Sequence, residues 1–313
     1  LEQLSARMRQ GEDIPLSDTA RIALALSIPS ILEQLVVTAM EYIDAAMVGH
    51  IGAEATAAIG IVSSSTWLLH GILVGLYTAF SIQIAQYLGA DRQQDARGVL
   101  RQSMLFNLAV GLAAERAALS SAQVLLVRIV SGLGTTAIAA NSLGVSAESL
   151  CYMAGYGIQD AALALVGQAV GANRRDMAKR FAWLCTAMGM GIMALTGVGL
   201  YVFAPHLMGI FTADAAVIAL GARVLRIEAF AEPMFGASIV ASGSMQGAGD
   251  STGCFILNLV SMWGVRLTLA VLLAPRFGLV GVWVAMCAEL CTRGVLFLLR
   301  MARGKWLDKG ALA

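Results

Sequence analysis

Long apolar stretches alternate with short polar segments along most of the chain. A bilayer core about 30 Å thick needs roughly 20 mainly apolar residues per helix, and glycine, proline or charged residues end each stretch of that length. The pattern predicts helices over residues 22–48, 55–88, 142–170, 181–204, 217–244, 253–274 and 280–299. Pro233 is expected to kink the helix over residues 217–244. The sequence therefore predicts an all-α polytopic membrane protein.

Residues 98–133 do not fit this length, because the segment is too long for a single transmembrane helix and carries Glu115 and Arg116 near its middle. Loop charge decides how often they cross, since cytoplasmic loops collect Lys and Arg. Basic clusters lie before the first helix, after the second, around residues 174–180 and at the chain's end, whereas the loops 49–54, 131–136 and 204–214 have none. This alternation requires one crossing by residues 98–133, which predicts about eight crossings with both termini in the cytoplasm.

The chain also repeats itself, because residues 52–96 align without a gap on residues 134–178. Both copies are apolar runs that end in a Gly-Ala turn followed by basic residues. Matching positions include the pairs Gly75/Gly157, Gln86/Gln168, Gly89/Gly171 and Arg92/Arg174. Duplicated bundles of this kind are typical of membrane transporters.

Composition supports a membrane protein. The chain is 58% hydrophobic and 13% charged, with a mean hydropathy of +0.75, whereas soluble domains are about 25% charged. The net charge is +1 and the basic residues form short clusters, so we expect no nucleic-acid partner. Five cysteines, an odd count, lie in apolar stretches and are expected to be free thiols. Residues 1–20 lack the apolar core of a secretory signal, so the first apolar segment is expected to be transmembrane itself.

An ordered set of short motifs resembles the multidrug and toxic compound extrusion (MATE) family of cation-coupled antiporters. The set consists of Pro29, Gln34 and residues 43–49 on the first helix, the helix ends at 85–90 and 166–172, residues 133–140, Pro233, the loop 246–250, and Trp263 with Arg266. The resemblance implies an inner-membrane transporter with two lobes. It also implies export of organic cations by alternating access, driven by H⁺ or Na⁺, with no cofactor beyond that coupling ion.

The chain departs from the family pattern of twelve helices. Its third helix runs from Val99 to about Ala114 and then joins the family's seventh near Glu115, so that most of helices four to six are missing. We expect a cytoplasmic tail over residues 1–21, a truncated N-terminal lobe over 22–114, a C-terminal lobe over 115–303 and a second cytoplasmic tail over 304–313. Both joined helices run outward in the family, so the later helices keep their orientation, in agreement with the loop charges.

Acidic residues on the first helix are the candidates for cation coupling, since ionisable groups inside a bilayer are rare and usually functional. Asp44 matches the acid of the family's first-helix motif, which the resemblance ties to proton or sodium coupling. The alternative is a solvated residue near the outer helix end. Glu33, eleven residues earlier, lies on nearly the same helix face, and Glu41 lies about 60° away. The alternative for Glu33 and Glu41 is that the deletion exposes the first helix to water.

Glu228 and Glu232 are the main candidates for a substrate path in the C-terminal lobe. They are one helical turn apart, next to Pro233, where a broken backbone exposes carbonyl groups to a cation. The alternative is that they pair with Arg223 or Arg226.

Further candidates are Asp160, Gln34 and Met234, of which the methionine suits a pocket that accepts many shapes. Glu148 and Glu289 are other acids inside predicted helices, and Arg293 is spaced to pair with Glu289.

Enzyme chemistry has no support in the sequence. His50, His70 and His206 lack metal-ligand spacing, no nucleophile motif is present, and residues 247–250 lack the Lys and Ser/Thr of a phosphate-binding loop. Three alternatives to an active antiporter stay open: a transport-inactive truncated or accessory membrane protein, a homodimer of truncated chains, and a lipid or lipid-linked flippase.

Overall fold

The computed structural model describes residues 15–49, 71, 74–75, 77–104, 106 and 135–309, and within them every regular element is helical. In chain order the elements are α1 (Leu16–Gly49), α2 (77–89), α3 (93–104), α4 (Thr135–Gly171), α5 (Arg175–Phe211), α6 (Ala215–Glu228), α7 (Glu232–Gly247), α8 (Ser251–Leu259), a π-helical stretch (Val260–Leu267), α9 (Thr268–Phe277), α10 (Leu279–Arg303) and a short 3₁₀ helix (Lys305–Lys309). Helices occupy the described parts of the predicted crossings, although only residues 98–104 and 106 of the stretch 98–133 are described. The pairs α6–α7 and α8–α9 each correspond to one predicted crossing. The predicted all-α polytopic fold is confirmed.

The outside of the bundle is apolar. Four stretches of the described chain are long and apolar enough to cross a membrane, namely Ser17–Met47, Arg175–Phe211, Ser251–Phe277 and Leu279–Arg303. Their large apolar side chains point outward, as Met47 on α1, Leu195 on α5 and Val271 on α9 show with exposures of 66–74%. Such a surface is solvated by lipid tails rather than by water.

The helices extend beyond the apolar stretches that predicted them. The helix predicted over residues 181–204 begins at Arg175 and ends at Phe211, because a charged turn continues it at its start and a mainly apolar segment continues it at its end. Aspartates cap two of the following helices: Asp214 accepts a hydrogen bond from the backbone N–H of Ala216 at 2.8 Å, and Asp250 accepts one from Gly253 at 3.3 Å. The apolar run therefore locates each helix, while the caps set its ends.

The prediction of one helix over residues 217–244 is wrong. α6 ends at Glu228 and α7 begins at Glu232, and the N–H of Ala231 donates to the carbonyl of Glu228 at 2.7 Å in the turn between them. Pro233 lies in the first turn of α7, where its missing N–H is not needed. In place of the expected kink, a short turn over residues 229–231 breaks the helix, with one glutamate on each side of it.

Helical structure is present within both segments assigned to the tails. α1 begins at Leu16, inside the tail assigned to residues 1–21, and residues 1–14 lie outside the described part of the chain. In the tail assigned to residues 304–313, the 3₁₀ helix packs against the bundle: Trp306 is fully buried and donates from Nε1 to the carbonyl of Met301 at 3.1 Å. The expected lobe junction near Glu115 lies outside the described residues.

Helix α4 lies at the centre of the described bundle and packs against α1, α5, α6 and α7. Two apolar clusters occupy its two ends. One contains Phe181 and Phe297, and the other contains Phe211 and Trp283. Acidic side chains lie between the two clusters.

Candidate functional site

Four glutamates from four helices are buried in the middle of the bundle. They are Glu148 on α4, Glu228 at the end of α6, Glu232 at the start of α7 and Glu289 on α10, and none is more than 4% exposed. Glu228 interacts electrostatically with each of the other three. Because acidic residues are almost never fully buried unless they are paired, this cluster is the candidate functional site.

The break between α6 and α7 positions two of these glutamates. Helix α5 approaches the break closely at Gly197, where an added Cβ would touch the Cβ of Glu232 and the carbonyl oxygen of Ala229. The close approach holds the start of α7 against α5. Small residues at such contacts allow helices to pack backbone to backbone.

The carboxylates of Glu228 and Glu232 have no hydrogen-bond partner among the described residues, although all four oxygens are buried. The thiol of Cys151 lies beside Glu232 without a hydrogen bond of normal geometry to it. A buried polar group without a partner destabilises a fold by about 1–3 kcal/mol, and a charged one by more. Two such groups side by side indicate a site that a cation or protons complete.

Only one oxygen of Glu289 has partners, since its Oε2 has no hydrogen-bond partner among the described residues. It accepts a short hydrogen bond from the hydroxyl of Ser261 and forms an ion pair with Arg293, in which Nε lies 3.1 Å from Oε1. This is the pair that the spacing predicted, although Nε does not reach hydrogen-bond geometry. The guanidinium of Arg293 also lies over the ring of Phe235, 5.3 Å from its centroid. Glu289 and Arg293 therefore support the site and leave Glu228 and Glu232 unpaired.

The alternative that Glu228 pairs with Arg223 or Arg226 is wrong. Arg226 turns away from the site, donates to the carbonyl of Tyr201 at 3.3 Å and stacks over that ring. The basic group that acts on the site is instead Arg266 on the π-helical stretch, which interacts electrostatically with Glu148 and Glu228 and donates to the sulfur of Met286 at 2.8 Å.

Charge at the site is unbalanced. The four glutamates face only Arg266 and Arg293 among the described basic residues, so the fully ionised cluster has an excess of negative charge. No group of three or more His, Cys, Asp or Glu in the described chain is arranged to hold a metal ion.

Two acids of α1 interact with side chains of α2 and α4. Glu33 is exposed and interacts electrostatically with Asp160 and with Tyr77, while Glu41 interacts with Tyr152. Two of the predicted candidates, Glu33 and Asp160, are thus brought together.

The remaining candidates are not part of the buried cluster. Gln34 and Met234 are half-buried, and the backbone of Met234 lies against Gly294 of α10. Asp44 lies on α1, but its side chain is outside the described part of the structure, so its coupling role stays a prediction.

Tyrosines that the sequence analysis missed lie between these two groups of acids. Tyr152 and Tyr156 form an edge-to-face pair with ring centroids 5.9 Å apart, and both interact electrostatically with Glu148. Glu148, Tyr152 and Tyr156 are each one helical turn apart on α4. That spacing places them on one face and could have identified them from the sequence.

The two copies of the repeat contact each other at matching positions. A Cβ added to Gly89 on α2 would overlap the carbonyl of Gln168 on α4, and one added to Gly171 would overlap the carbonyl of Gln86. The amide of Gln86 also donates to the carbonyl of Gly247 at 3.0 Å. The ends of α2 and α4 therefore cross with backbone against backbone.

Comparison with known families gives one match, repeated along the chain. The family model described as MatE matches residues 29–115 and again residues 112–272, and the second match is nearly twice as long as the first.

The chain is also similar to individual transporters. It is 25% identical over 208 residues to "Uncharacterized transporter YisQ" of Bacillus subtilis, and the alignment covers 66% of this chain and 46% of that protein. It is 32% identical over 178 residues to "Probable multidrug resistance protein NorM" of Brucella suis, and the alignment covers 55% of this chain and 38% of that protein. The chain thus spans less than half the length of the curated relatives it matches.

Solved structures share the fold. A mutant of the Vibrio cholerae MATE transporter VcmN aligns with a TM-score of 0.72 at 14% identity, over 92% of this chain and 97% of that chain. A MATE protein in complex with MaL6 aligns with a TM-score of 0.72 at 15% identity, over 97% of this chain and 99% of that chain.

Proposed function

Because the chain belongs to the MatE family, we propose that it is an antiporter in which inward flow of H⁺ or Na⁺ drives the export of organic cations by alternating access. We also propose that it crosses the inner membrane several times, with both termini in the cytoplasm. The charge of the loops supports that orientation.

The single observation that carries the proposal is the unpaired state of Glu228 and Glu232. Their four buried oxygens lack partners among the described residues, and they flank a helix break. A cation or proton that enters cancels one of the two negative charges and so reduces the electrostatic repulsion across the break. Its departure restores the repulsion, so the occupied and empty sites favour different packings of α6 against α7.

Organic cations are the proposed cargo. Glu33 on α1 and Asp160 on α4 form an acidic pair, which attracts positive charge, and Gln34 and Met234 extend the proposed path. Several similar proteins bear the name "Probable multidrug resistance protein NorM", which supports this class of substrate. Asp44 is the proposed coupling acid of the N-terminal half, with Glu41 next to it in the same helix.

A transport test uses purified protein in proteoliposomes loaded with ethidium, under an imposed H⁺ or Na⁺ gradient. Glu228→Gln and Glu232→Gln should each reduce gradient-driven ethidium movement by about tenfold or more, because they remove the charge that couples the two ions. Asp95→Asn is the matched control, since Asp95 forms an exposed ion pair with Arg92 and such pairs contribute little. Unchanged transport in both glutamine variants would contradict the proposal.

A second function is favoured by the short first match to the family. A chain whose first lobe lacks several helices would fold around its second lobe as a transport-inactive or accessory membrane protein. The same vesicles separate the two functions, because the inactive protein moves no ethidium under either gradient, in the wild type as in the variants.

A further inference from the structure

Three exposed basic residues meet at one end of the bundle, where α5 begins and α10 ends. Lys179 lies near the start of α5, while Arg303 and Lys305 flank Gly304 at the end of α10. The Nζ of Lys179 lies 3.6 Å from the position that a Cβ on Gly304 would occupy. Lys179 therefore reaches the turn that carries the other two residues. We call Lys179, Arg303 and Lys305 the basic surface.

Packing fixes the backbone that carries the basic surface. Gly304 ends α10 with a φ of +72°, a left-handed conformation that favours glycine. The chain then turns back, and the buried Trp306 donates from Nε1 to the carbonyl of Met301 at 3.1 Å. From α5, the hydroxyl of Thr186 donates to the sulfur of Met301 at 3.8 Å. The end of α10 is thus held against the start of α5.

The charge of the basic surface is not neutralised within the described part of the chain. None of its three residues forms an ion pair there. Asp176, in the first turn of α5, pairs instead with Arg174, whose Nη2 lies 3.1 Å from Oδ2. Asp308 and Lys309 follow in the 3₁₀ helix with side chains outside the described residues, and their formal charges cancel. The surface therefore favours an anionic ligand.

Apolar side chains continue from the basic surface along both helices. On α5, Trp183 lies one turn after Lys179 on the same face and is 45% exposed. On α10, Leu299 lies one turn before Arg303 on the same face and is 51% exposed. Tryptophan is enriched at the level where membrane meets water. A ligand that fits both features has an anionic head and an apolar tail.

We propose that the basic surface binds the headgroup of an anionic phospholipid, whose acyl chains lie along Trp183 and Leu299. Phosphate accepts charge-assisted hydrogen bonds from Lys and Arg, and basic pockets at the ends of transmembrane helices bind phospholipid headgroups. Three cations exceed the charge of one phosphate, so the two phosphates of cardiolipin fit the surface better than the single phosphate of phosphatidylglycerol. The site is separate from the glutamate cluster and does not depend on transport.

Native mass spectrometry of the purified full chain in detergent tests the headgroup. The wild type should bind one cardiolipin tightly, phosphatidylglycerol more weakly and the zwitterionic phosphatidylcholine not measurably. Lys179→Gln combined with Arg303→Gln should weaken cardiolipin binding about tenfold or more, because each basic residue near anionic lipid adds to the attraction. Arg97→Gln combined with Arg101→Gln is the charge-matched control. It removes two exposed basic residues from the single helix α3 and should leave cardiolipin binding unchanged.

Fluorescence locates the acyl chains. Cardiolipin with brominated chains should quench Trp183, and this quenching should be lost in Trp183→Phe and in the double variant of the basic surface. Trp283 and Trp306 are at most 1% exposed and should contribute little.

Melting temperatures show whether the variants fold, and the comparison of lipids on the wild type needs no variant. Equal binding of cardiolipin and phosphatidylcholine would overturn the proposal. An equal loss of binding in the α3 control, or quenching that is unchanged in Trp183→Phe, would overturn it as well.

Discussion

Gly89 and Gly171 occupy matching positions in the two copies of the repeat, and each packs against the backbone of the glutamine three residues before the other. Gly89 meets the carbonyl of Gln168, and Gly171 meets that of Gln86. The contact is therefore reciprocal, as expected for two halves related by a pseudo-two-fold axis. Only glycine permits this approach, because any Cβ would overlap the opposing carbonyl.

Substitution at this crossing should separate α2 from α4. We expect Gly89→Leu and Gly171→Leu to lower the free energy of unfolding by about 1–3 kcal/mol or more, because overpacking displaces backbone as well as side chains. The control is Gly191→Leu, since Gly191 has nothing within 4 Å of an added Cβ. Melting temperatures in one detergent compare the variants, and a control that melts as early as the two crossing variants would contradict this packing.

Removing charge should have opposite effects at two places in the glutamate cluster. Glu289→Gln breaks the ion pair with Arg293, whose side chain is 18% exposed, and loss of a partner from a buried pair destabilises by about 3–5 kcal/mol. Glu228→Gln and Glu232→Gln replace unpaired buried acids by neutral side chains of the same shape, so their stability should equal or exceed that of the wild type. Thermal unfolding of the three variants measures the difference, and the reverse order would show that Glu228 is paired in solution.

An ion pair joins the loop before α8 to α10. Asp250 is fully buried, and Arg300 donates to its Oδ2 from Nε at 2.8 Å and also from its terminal Nη2. Arg300→Met should lower the free energy of unfolding by about 1.5–3 kcal/mol, the typical value for hydrogen bonds to charged groups. Arg303→Met, at an exposed position, is the matched control. Equal melting temperatures for the two variants would mean that the pair does not hold the loop.

The 3₁₀ helix over Lys305–Lys309 packs against the bundle, so we expect it to stabilise the fold. Trp306→Ala should reduce stability by about 3–5 kcal/mol, because it removes a fully buried aromatic side chain. Lys305→Ala, next to it and exposed, should change stability little. Proteolysis near Gly304 offers a second readout, since the segment should become cleavable only in the Trp306 variant.

The helical fold could be predicted because the bilayer imposes a length on every apolar run. The pair of Glu289 and Arg293 could also be predicted, since both lie on one helix and its geometry sets their separation. The break at residues 229–231 could not, because Pro233 is compatible with either a kink or a new helix start. Turn geometry decides between them, and it then sends Arg226 to Tyr201 while Glu228 faces inward.

The buried cluster of glutamates could not be predicted from the sequence, for a related reason. Glu148, Glu228 and Glu289 come from three helices, and hydropathy does not tell which faces of different helices meet. Every amphipathic face around α4 is compatible with several neighbours. The role of Asp44 in coupling stays a prediction, since it rests on the family resemblance.

Competition between ions is the most direct test of the central claim that Glu228 and Glu232 form the coupling site. Equilibrium binding of tetraphenylphosphonium to the purified protein is measured while Na⁺ is raised or the pH is lowered. We expect one of these changes to weaken binding in the wild type and to have no effect when Glu228→Gln and Glu232→Gln are combined. Binding in the wild type that responds to neither ion, or the same response in the double variant, would contradict it.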